Sequence, residues 1–563
     1  MLSRPAAIEA IAGQHFEVVV IGGGITGAGV ALDAASRGYS VALLERGDYA
    51  VGTSSRSSKM VHGGLRYLQN FDLGLVREAL LERQLLVRLA PHLVYPTPFL
   101  VAALGEEKRD RKVGIGLNMY DVMATTRVGR SRREMRASKE EDEDFYWSPD
   151  RHRTIDRDEV LGLVPALAAR DPKDAYLFYD CQTDDVRLVL TVLGEAERFG
   201  AVSLNGAEVT EVLFDNGRAA GVAFDEAGSG ARIEVRADAV INATGVWADQ
   251  IRPEETVEEE DVPRIAPSRG THVLLDQADL PMGRAACIVP AGSGRMIFSL
   301  PWYGRTLVGT TDNDYDGDIT HPRPAAEDVG YLLEAVNEFF GTGLTESSLV
   351  GAFAGVRPLI SSGDPRKSVD ISRKAELYET SSGMLTITGG KLTTWRRMAK
   401  MTVDRIVERD GQELPCRTHE IPLGMAISAD DLPRVDGAPA DAYAQLAGRY
   451  GHVAHDVLAL AGEFPGPVLD GMPDLMAEVV HSVRREQARS VGDVLLRRTR
   501  LGLTAARSLL VPGEQAPERV ARALGAELGW DEARTATEAD RFRADAAEEG
   551  LTVGSGTAVG PAP

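Results

Sequence analysis

Residues 16–29 read FEVVVIGGGITGAG. The first six form a continuous apolar run, which predicts a strand buried on both faces. Gly22, Gly24 and Gly27 follow in the spacing G-x-G-x-x-G. Gly22 permits the tight turn, Gly24 lets the backbone approach a pyrophosphate, and Gly27 lets helix pack on strand. A small-residue helix is expected over 25–37, closed by Gly38 at the C′ position. A second strand, SVALLE at 40–45, ends at Glu45. That acidic residue lies about 20 residues beyond the motif, where it can accept from a ribose hydroxyl. The helix amides and dipole would face the phosphates. Together these make a βαβ unit for a dinucleotide, NAD or FAD on spacing alone. An ordinary glycine-rich turn explains the glycines but not Glu45 in register.

Three features favour FAD. The motif occurs once, with no second copy for a nicotinamide. Residues 53–67, TSSRSSKMVHGGLRY, put Thr53, Ser54, Ser55, Gly63 and Gly64 just past the second strand, where a long flavin can be clasped. Far downstream, an apolar strand over 384–388 runs into Gly389, Gly390, Lys391, Leu392 and Thr393, then a helix expected over 392–408. A helix N-terminus there stabilises negative charge on a reduced flavin ring. Thr244 and Gly245, closing the apolar stretch DAVINAT, fit the same sheet. Elsewhere, helices are expected over 73–90 and 185–199, the latter with Asp184 and Asp185 as capping candidates. Residues 202–243 alternate like short strands joined by Asn-Gly turns at 205–206 and 216–217. Residues 272–312 suggest a second, mainly antiparallel sheet. The pattern after Cys416 is almost wholly helical, and a tail from 550 reads as disordered.

The 563 residues carry 84 Asp+Glu against 62 Lys+Arg, a net charge of −22. That balance argues against nucleic acid as a partner, since phosphate backbones want a basic footprint. Cys181, Cys287 and Cys416 form no CxxC pair and read as ordinary thiols of a reducing compartment; no metal site is expected. The first 16 residues hold no apolar core of signal-peptide length. The uncharged stretch 89–105 is broken by Pro91, Pro96 and Pro98 and is too short to span a bilayer. The expected location is cytoplasmic, with contact at the inner face of the cell membrane but no crossing. Two basic groups stand out: Arg127, Arg130, Arg132, Arg133 and Arg136, and Arg484, Arg485, Arg489, Arg497, Arg498 and Arg500. They could attract anionic headgroups, or be solvated faces paired with acidic runs such as 140–144.

Several longer stretches then combine: VVVIGGGITGAG, TSSRSSKMVHGGLRYL, YDCQTDDVRLVL, INATGVWA, SLPW with TLVGTTDNDYDGD, AGVRPLI, TGGKLTTWRRMA and RRTRLGL. In this order they resemble the FAD-dependent glycerol-3-phosphate dehydrogenases, the respiratory class that passes electrons to quinone. The resemblance implies oxidation of sn-glycerol 3-phosphate to dihydroxyacetone phosphate, with FAD reduced. It implies an α/β fold like that of D-amino acid oxidase: a Rossmann-like FAD-binding domain interleaved with an α+β substrate domain, plus an all-α C-terminal domain. The expected bounds are 1–105, 175–265 and 345–412 for the FAD domain, and 106–174 and 266–344 for the substrate domain. The helical domain is expected over 413–548, with the tail over 549–563. Expected partners are glycerol 3-phosphate, a membrane quinone, the membrane surface and a second copy of the chain. An oxygen-using oxidase branch usually carries an insertion not seen here. An amino-acid oxidase of the same fold needs fewer cations than this chain offers. A flavin-binding regulator without turnover is the remaining alternative.

Such a substrate needs cations for its phosphate, a base for its hydroxyl, and C2–H aimed at the flavin. Arg66 (with Tyr67 beside it), Arg357 and Arg373 are the candidate phosphate ligands, because a guanidinium fork matches phosphate oxygens; buried ion pairs are the plainer alternative. Among ten histidines, His272 at a strand start and His62 in the flavin-clasping loop are the candidate bases. Either could instead only hydrogen-bond the flavin or the backbone. Lys391 could polarise the C2 oxygen or stabilise the reduced ring, and Asp312 could orient one of these groups.

Overall fold

The structure is a computed structural model that describes residues 1–64, 72–105, 111–125, 151–251, 264–292, 294–361 and 375–552. Strand His15–Ile21 is the centre of the first sheet. It pairs in parallel with Val41–Glu45 on one side and Arg232–Asn242 on the other. Beyond these lie Val202–Asn205 and Leu385–Gly389, also parallel, with Ala375–Glu379 antiparallel at the edge. The register puts Ile21 beside Leu44 and Asn242, so the strands end together along one edge. In an open parallel sheet the crevice beyond the carboxyl ends is where ligands sit. Helix Ile25–Ser36 packs between helices Asp185–Arg198 and Trp395–Arg409 on one face. Gly29 is what allows it: a Cβ there would lie 2.5 Å from Trp395 Cε3.

The second sheet has ten strands, almost all antiparallel. Its longest pairing joins Arg264–Asp276 to Leu349–Ser361, with Ser268 opposite Arg357 and His272 opposite Phe353. Five of its strands, Met60–Val61 and Arg264–Asp276 among them, fall partly or wholly within the bounds expected for the FAD domain. Tyr95–Leu104 pairs with Pro172–Gln182, and Leu349–Ser361 pairs with Arg264–Asp276. The boundaries therefore shift: an apolar run marks a buried strand but not the sheet it joins. The Asn216-Gly217 turn is a two-residue hairpin with φ of 49° and 78°. Asn205-Gly206 is not a hairpin, because Val202–Asn205 pairs in parallel with Val41–Glu45 instead.

The expected helical pattern after Cys416 begins only at helix Ala442–Tyr450; residues 417–441 are mostly turns and irregular chain, and the helices from there to Glu548 dock on both sheets. Of the second group of arginines, Arg497, Arg498 and Arg500 face inward rather than toward a membrane, whereas Arg484 and Arg485 are exposed. Arg497 and Arg498 are buried against Asp48, Arg500 against Asp185, and Arg484 pairs with Glu527 at 2.7 Å. Burial works against the Asp48 charge, but Arg498 and Arg497 hold its carboxyl below the usual range. The other basic group, 127–136, and the acidic run 140–144 lie outside the described residues. The expected tail is ordered at its start. Glu549 pairs with Arg56 at 2.7 Å, and the carbonyl of buried Leu551 accepts from the Ala352 amide at 2.9 Å. Residues 553–563 lie outside the described residues. Among the described residues, no helix is long and apolar enough to cross a membrane.

Candidate active site

A cavity of about 1260 Å³ opens along the carboxyl edge of the first sheet and runs to the face of the second. Its dinucleotide end is built by the glycine turn. Gly22 has φ +112°, and a Cβ there would lie 2.7 Å from the Ala243 carbonyl oxygen. A Cβ on Gly27 would lie 1.9 Å from the Gly22 carbonyl oxygen, so that glycine seats the helix on its own strand. Gly24 begins the helix, and Ser54 Oγ accepts from the Ile25 amide at 3.0 Å. Glu45 ends the second strand with its carboxylate accepting from the Gly23 and Gly47 amides at 2.7 and 2.8 Å. Burial raises its pKa, and those amides oppose the shift. These residues fit a dinucleotide: bare backbone for the pyrophosphate, a helix start facing it, and a carboxylate at the ribose position.

Most of the remaining expected residues line this cavity: Thr53, Ser54, His62, Gly64, Thr244, Gly245, Gly390, Lys391, Leu392, Thr393, His272 and Arg357. Thr53 Oγ1 donates to the Val356 carbonyl at 2.6 Å, tying the clasping loop to the strand of Arg357. Gly389 and Gly390 have φ of 75° and 71°. The chain turns there through Leu392–Thr394 into helix Trp395–Arg409, and Leu392, Thr393 and Met398 lie on the cavity wall. Two of the expected residues lie off the cavity wall. The Ser55 hydroxyl turns back to the Val51 and Gly52 carbonyls, and Gly63 donates to Tyr120 Oη at 2.9 Å; neither is on the cavity wall. Gly27 also lies off the wall, in its packing role. Arg66, Tyr67 and Arg373 lie outside the described residues.

Arg357 reaches the cavity across its strand partner. A Cβ on Gly270 would come within 2.4 Å of its guanidinium, so glycine there leaves the room. Its Nη1 donates to Asp312 at 3.1 Å, and its Nη2 to Thr310 Oγ1 and the Thr311 carbonyl, each at 3.1 Å. Asp312 therefore orients Arg357, a role the sequence reading did not weigh. His272 is 2 % exposed, stacked on Phe353 with ring centroids 4.7 Å apart, and its Nε2 is 2.9 Å from Ser58 Oγ. Burial, then the charges of Lys59 and Arg357, hold its pKa well below the ordinary value. The expectation of a histidine titrating near neutrality is thus corrected: without substrate this imidazole is neutral. The unfolded chain takes up a proton near pH ~6.5 that the folded chain refuses. Stability from this site is present above that pH and lost as pH falls through it. His272→Gln is expected to lose less melting temperature than the parent between about pH 8 and about pH 5. Equal losses in a thermal scan would contradict the buried neutral ring.

Sequence reasoning missed Lys59 and Asp185. Lys59 is fully buried, with Nζ 2.6 Å from the Ser55 carbonyl and 2.7 Å from Asp185 Oδ2. Burial and the Arg500 charge push it down to about 7, against Asp185. Asp180 was also missed; it lines the cavity while holding Arg83 and Tyr120. The stretch YDCQTDD carried both aspartates, but only their partners reveal what they do.

A dinucleotide cradle on a parallel sheet, opening onto a second antiparallel sheet that offers Arg357 and His272, defines a two-sheet flavin-dependent oxidoreductase. Residues 17–396 match the FAD dependent oxidoreductase family, and residues 388–535 match the C-terminal domain of alpha-glycerophosphate oxidase. The chain belongs to the FAD-dependent glycerol-3-phosphate dehydrogenase family, and its cofactor is FAD. Glycerol-3-phosphate dehydrogenase 2 of Mycobacterium bovis is 34% identical over 550 residues, covering 96% of this chain and 88% of the relative. The aerobic glycerol-3-phosphate dehydrogenase of Bacillus subtilis is 34% identical over 522 residues, 88% of this chain and 89% of the relative. The crystal structure of the Bacillus halodurans glycerol-3-phosphate dehydrogenase complexed with FAD superposes with a TM-score of 0.75 at 29% identity, covering 97% of this chain and 98% of that one.

Proposed function

We propose that the protein oxidises sn-glycerol 3-phosphate at C2 to dihydroxyacetone phosphate and passes the electrons to a membrane quinone. The observation that carries this reading is the pairing of Arg264–Asp276 with Leu349–Ser361, which brings Arg357 and His272 to the same cavity as the dinucleotide cradle. Bound FAD supplies the two-electron acceptor for the hydride leaving C2. Arg357, oriented by Asp312, binds the phosphate. His272, unprotonated in the free protein, accepts the C2 hydroxyl proton as the C–H bond breaks; the phosphate dianion on Arg357 offsets one of the cation charges that hold its pKa down. Lys391, on the cavity wall at the turn into helix Trp395–Arg409, favours negative charge on the reduced ring. The test is anaerobic addition of sn-glycerol 3-phosphate to the purified holoprotein. Loss of the oxidised flavin absorption with formation of dihydroxyacetone phosphate is the expected result. A flavin that stays oxidised, or bleaches only with an amino acid, would overturn the substrate.

Helix Arg111–Thr125 supports a quinone acceptor and a membrane docking face. Leu117, Tyr120 and Ala124 are buried, yet Ile115 and Val122 are each 62% exposed, with Met119 between them. Ile115 and Met119 also line the cavity, beside the exposed Met296. An exposed apolar stripe next to cations at the helix start suits a bilayer surface. Salt-sensitive binding to anionic vesicles is expected, weakened by Val122→Glu without loss of dye-coupled turnover. Absence of binding at low salt would contradict the docking face, and turnover with oxygen but not with quinone would contradict the acceptor.

A further inference from the structure

The segment Ser55–Lys59 forms part of the cavity wall through Arg56, Ser57 and Ser58. It is gripped from behind by one carboxylate. Asp185, fully buried, accepts on Oδ2 from the Ser57 amide at 3.1 Å, from Ser57 Oγ at 2.7 Å and from Lys59 Nζ at 2.7 Å. Its Oδ1 accepts from the Val186 amide at 3.0 Å and from Arg500 Nη2. Arg500 Nη2 also reaches the Ser55 carbonyl at 3.3 Å. The turn is thus pinned at residues 55, 57 and 59. Between the last two lies Ser58, whose Oγ meets His272 Nε2. Lys59 sits 5.0 Å from the centre of the Phe353 ring on which His272 stacks. The hydrogen bond and the ring stack that orient the imidazole therefore both lead back to Lys59 or to the carboxylate that Arg500 holds. The neighbouring Asp184 lies 3.7 Å from Arg500 Nε through its Oδ2 but holds no residue of the turn. Its Oδ1 caps helix Asp185–Arg198 by accepting from the Val186 and Arg187 amides.

We infer that Asp185, held by Arg500 of the helical C-terminal domain, is a positioning residue for the oxidation: through Ser57, Lys59 and Ser58 it sets the bearing of His272 toward the reacting carbon. The helical domain then contributes to catalysis without touching substrate. Nothing is transferred to or from Asp185. It pairs with Lys59 and Arg500 and acts by geometry. A small displacement of a catalytic group slows the chemical step far more than it weakens substrate binding.

The inference rests on His272 acting in glycerol 3-phosphate oxidation, and the experiment keeps the two apart. Anaerobic rapid mixing of the holoprotein with sn-glycerol 3-phosphate reads the rate of flavin reduction directly. If the parent protein is not reduced, the proposed function fails. If the parent is reduced, the variants judge the inference. Asp185→Asn, loaded with FAD, is expected to be reduced about 10- to 100-fold more slowly, with half-saturation by substrate changed less than about threefold. The isotope effect with substrate deuterated at C2 should rise, because a merely looser fold would not make hydride transfer more rate-limiting. Ser58→Ala should slow reduction too. The double variant should be little slower than the worse single one, since both act on one path. An FAD-loaded Asp185→Asn reduced at the parent rate, or losses that multiply in the double variant, would overturn the inference. Should Asp185→Asn not fold, Ser57→Ala removes one hydroxyl from the same carboxylate. Slower reduction with a raised isotope effect supports the inference, and the parent rate overturns it.

Discussion

Gly27→Ala is expected to give a protein without flavin. The added Cβ would lie 1.9 Å from the Gly22 carbonyl oxygen, which is backbone and cannot turn aside as a side chain would. Helix Ile25–Ser36 would have to lift from strand His15–Ile21, and the amides at its start would leave the position where the pyrophosphate is held. Packing on the other face resists that movement, because Gly29 already sits against the Trp395 ring. Overpacking of this kind costs about 1–3 kcal/mol or more. Purified Gly27→Ala should lack the flavin spectrum and melt below the parent. Full flavin occupancy would contradict the close helix–strand contact.

Arg357→Ala should raise KM for glycerol 3-phosphate roughly 100-fold while FAD stays bound. A charge-assisted, forked contact to phosphate is worth about 2–3 kcal/mol, and 1.4 kcal/mol is tenfold. The change does more than remove a cation. It leaves the Asp312 carboxylate, which also accepts from the Ser268 hydroxyl at 2.6 Å, facing an incoming dianion without the guanidinium between them. Arg357→Lys should recover part of the affinity, since a point charge replaces the attraction but not the fork. Steady-state kinetics with a dye acceptor measure both. An unchanged KM in flavin-loaded Arg357→Ala would remove this residue from the phosphate site.

The first βαβ unit was legible because everything it needs is local. The apolar run, three glycines, helix stop and Glu45 lie within 30 residues, and each has its own physical reason. Arg357, His272 and Lys391 were legible as chemistry: reactive side chains in stretches otherwise without charge, or beside glycines. What could not be read was partnership. Lys59 and Asp185 are 126 residues apart, and no local pattern distinguishes Asp185 from Asp184, which caps a helix. The strands Tyr95–Leu104 and Leu349–Ser361 lie in stretches that read only as uncharged, and neither their conformation nor their place in the second sheet was legible, because apolar patterning reports burial and not pairing. Asn205-Gly206 and Asn216-Gly217 are the same dipeptide in two settings. Only the second joins neighbours in one sheet, so turn chemistry alone overstated the hairpins. Arg497, Arg498 and Arg500 read as a surface because their partners, Asp48 and Asp185, are hundreds of residues upstream.

The threading of the first sheet has a consequence for how each molecule is made. Its central strand ends at Ile21, but the neighbours it needs on one side end at Asn242 and Gly389. The wall of the cavity draws on residues from Ile21 to Met398. While the ribosome is still working through the middle of the message, the glycine turn is already outside with half its sheet missing. Loading of flavin is therefore a late event in the life of every chain, and the apolar edge of His15–Ile21 must be kept from wrong pairings until then.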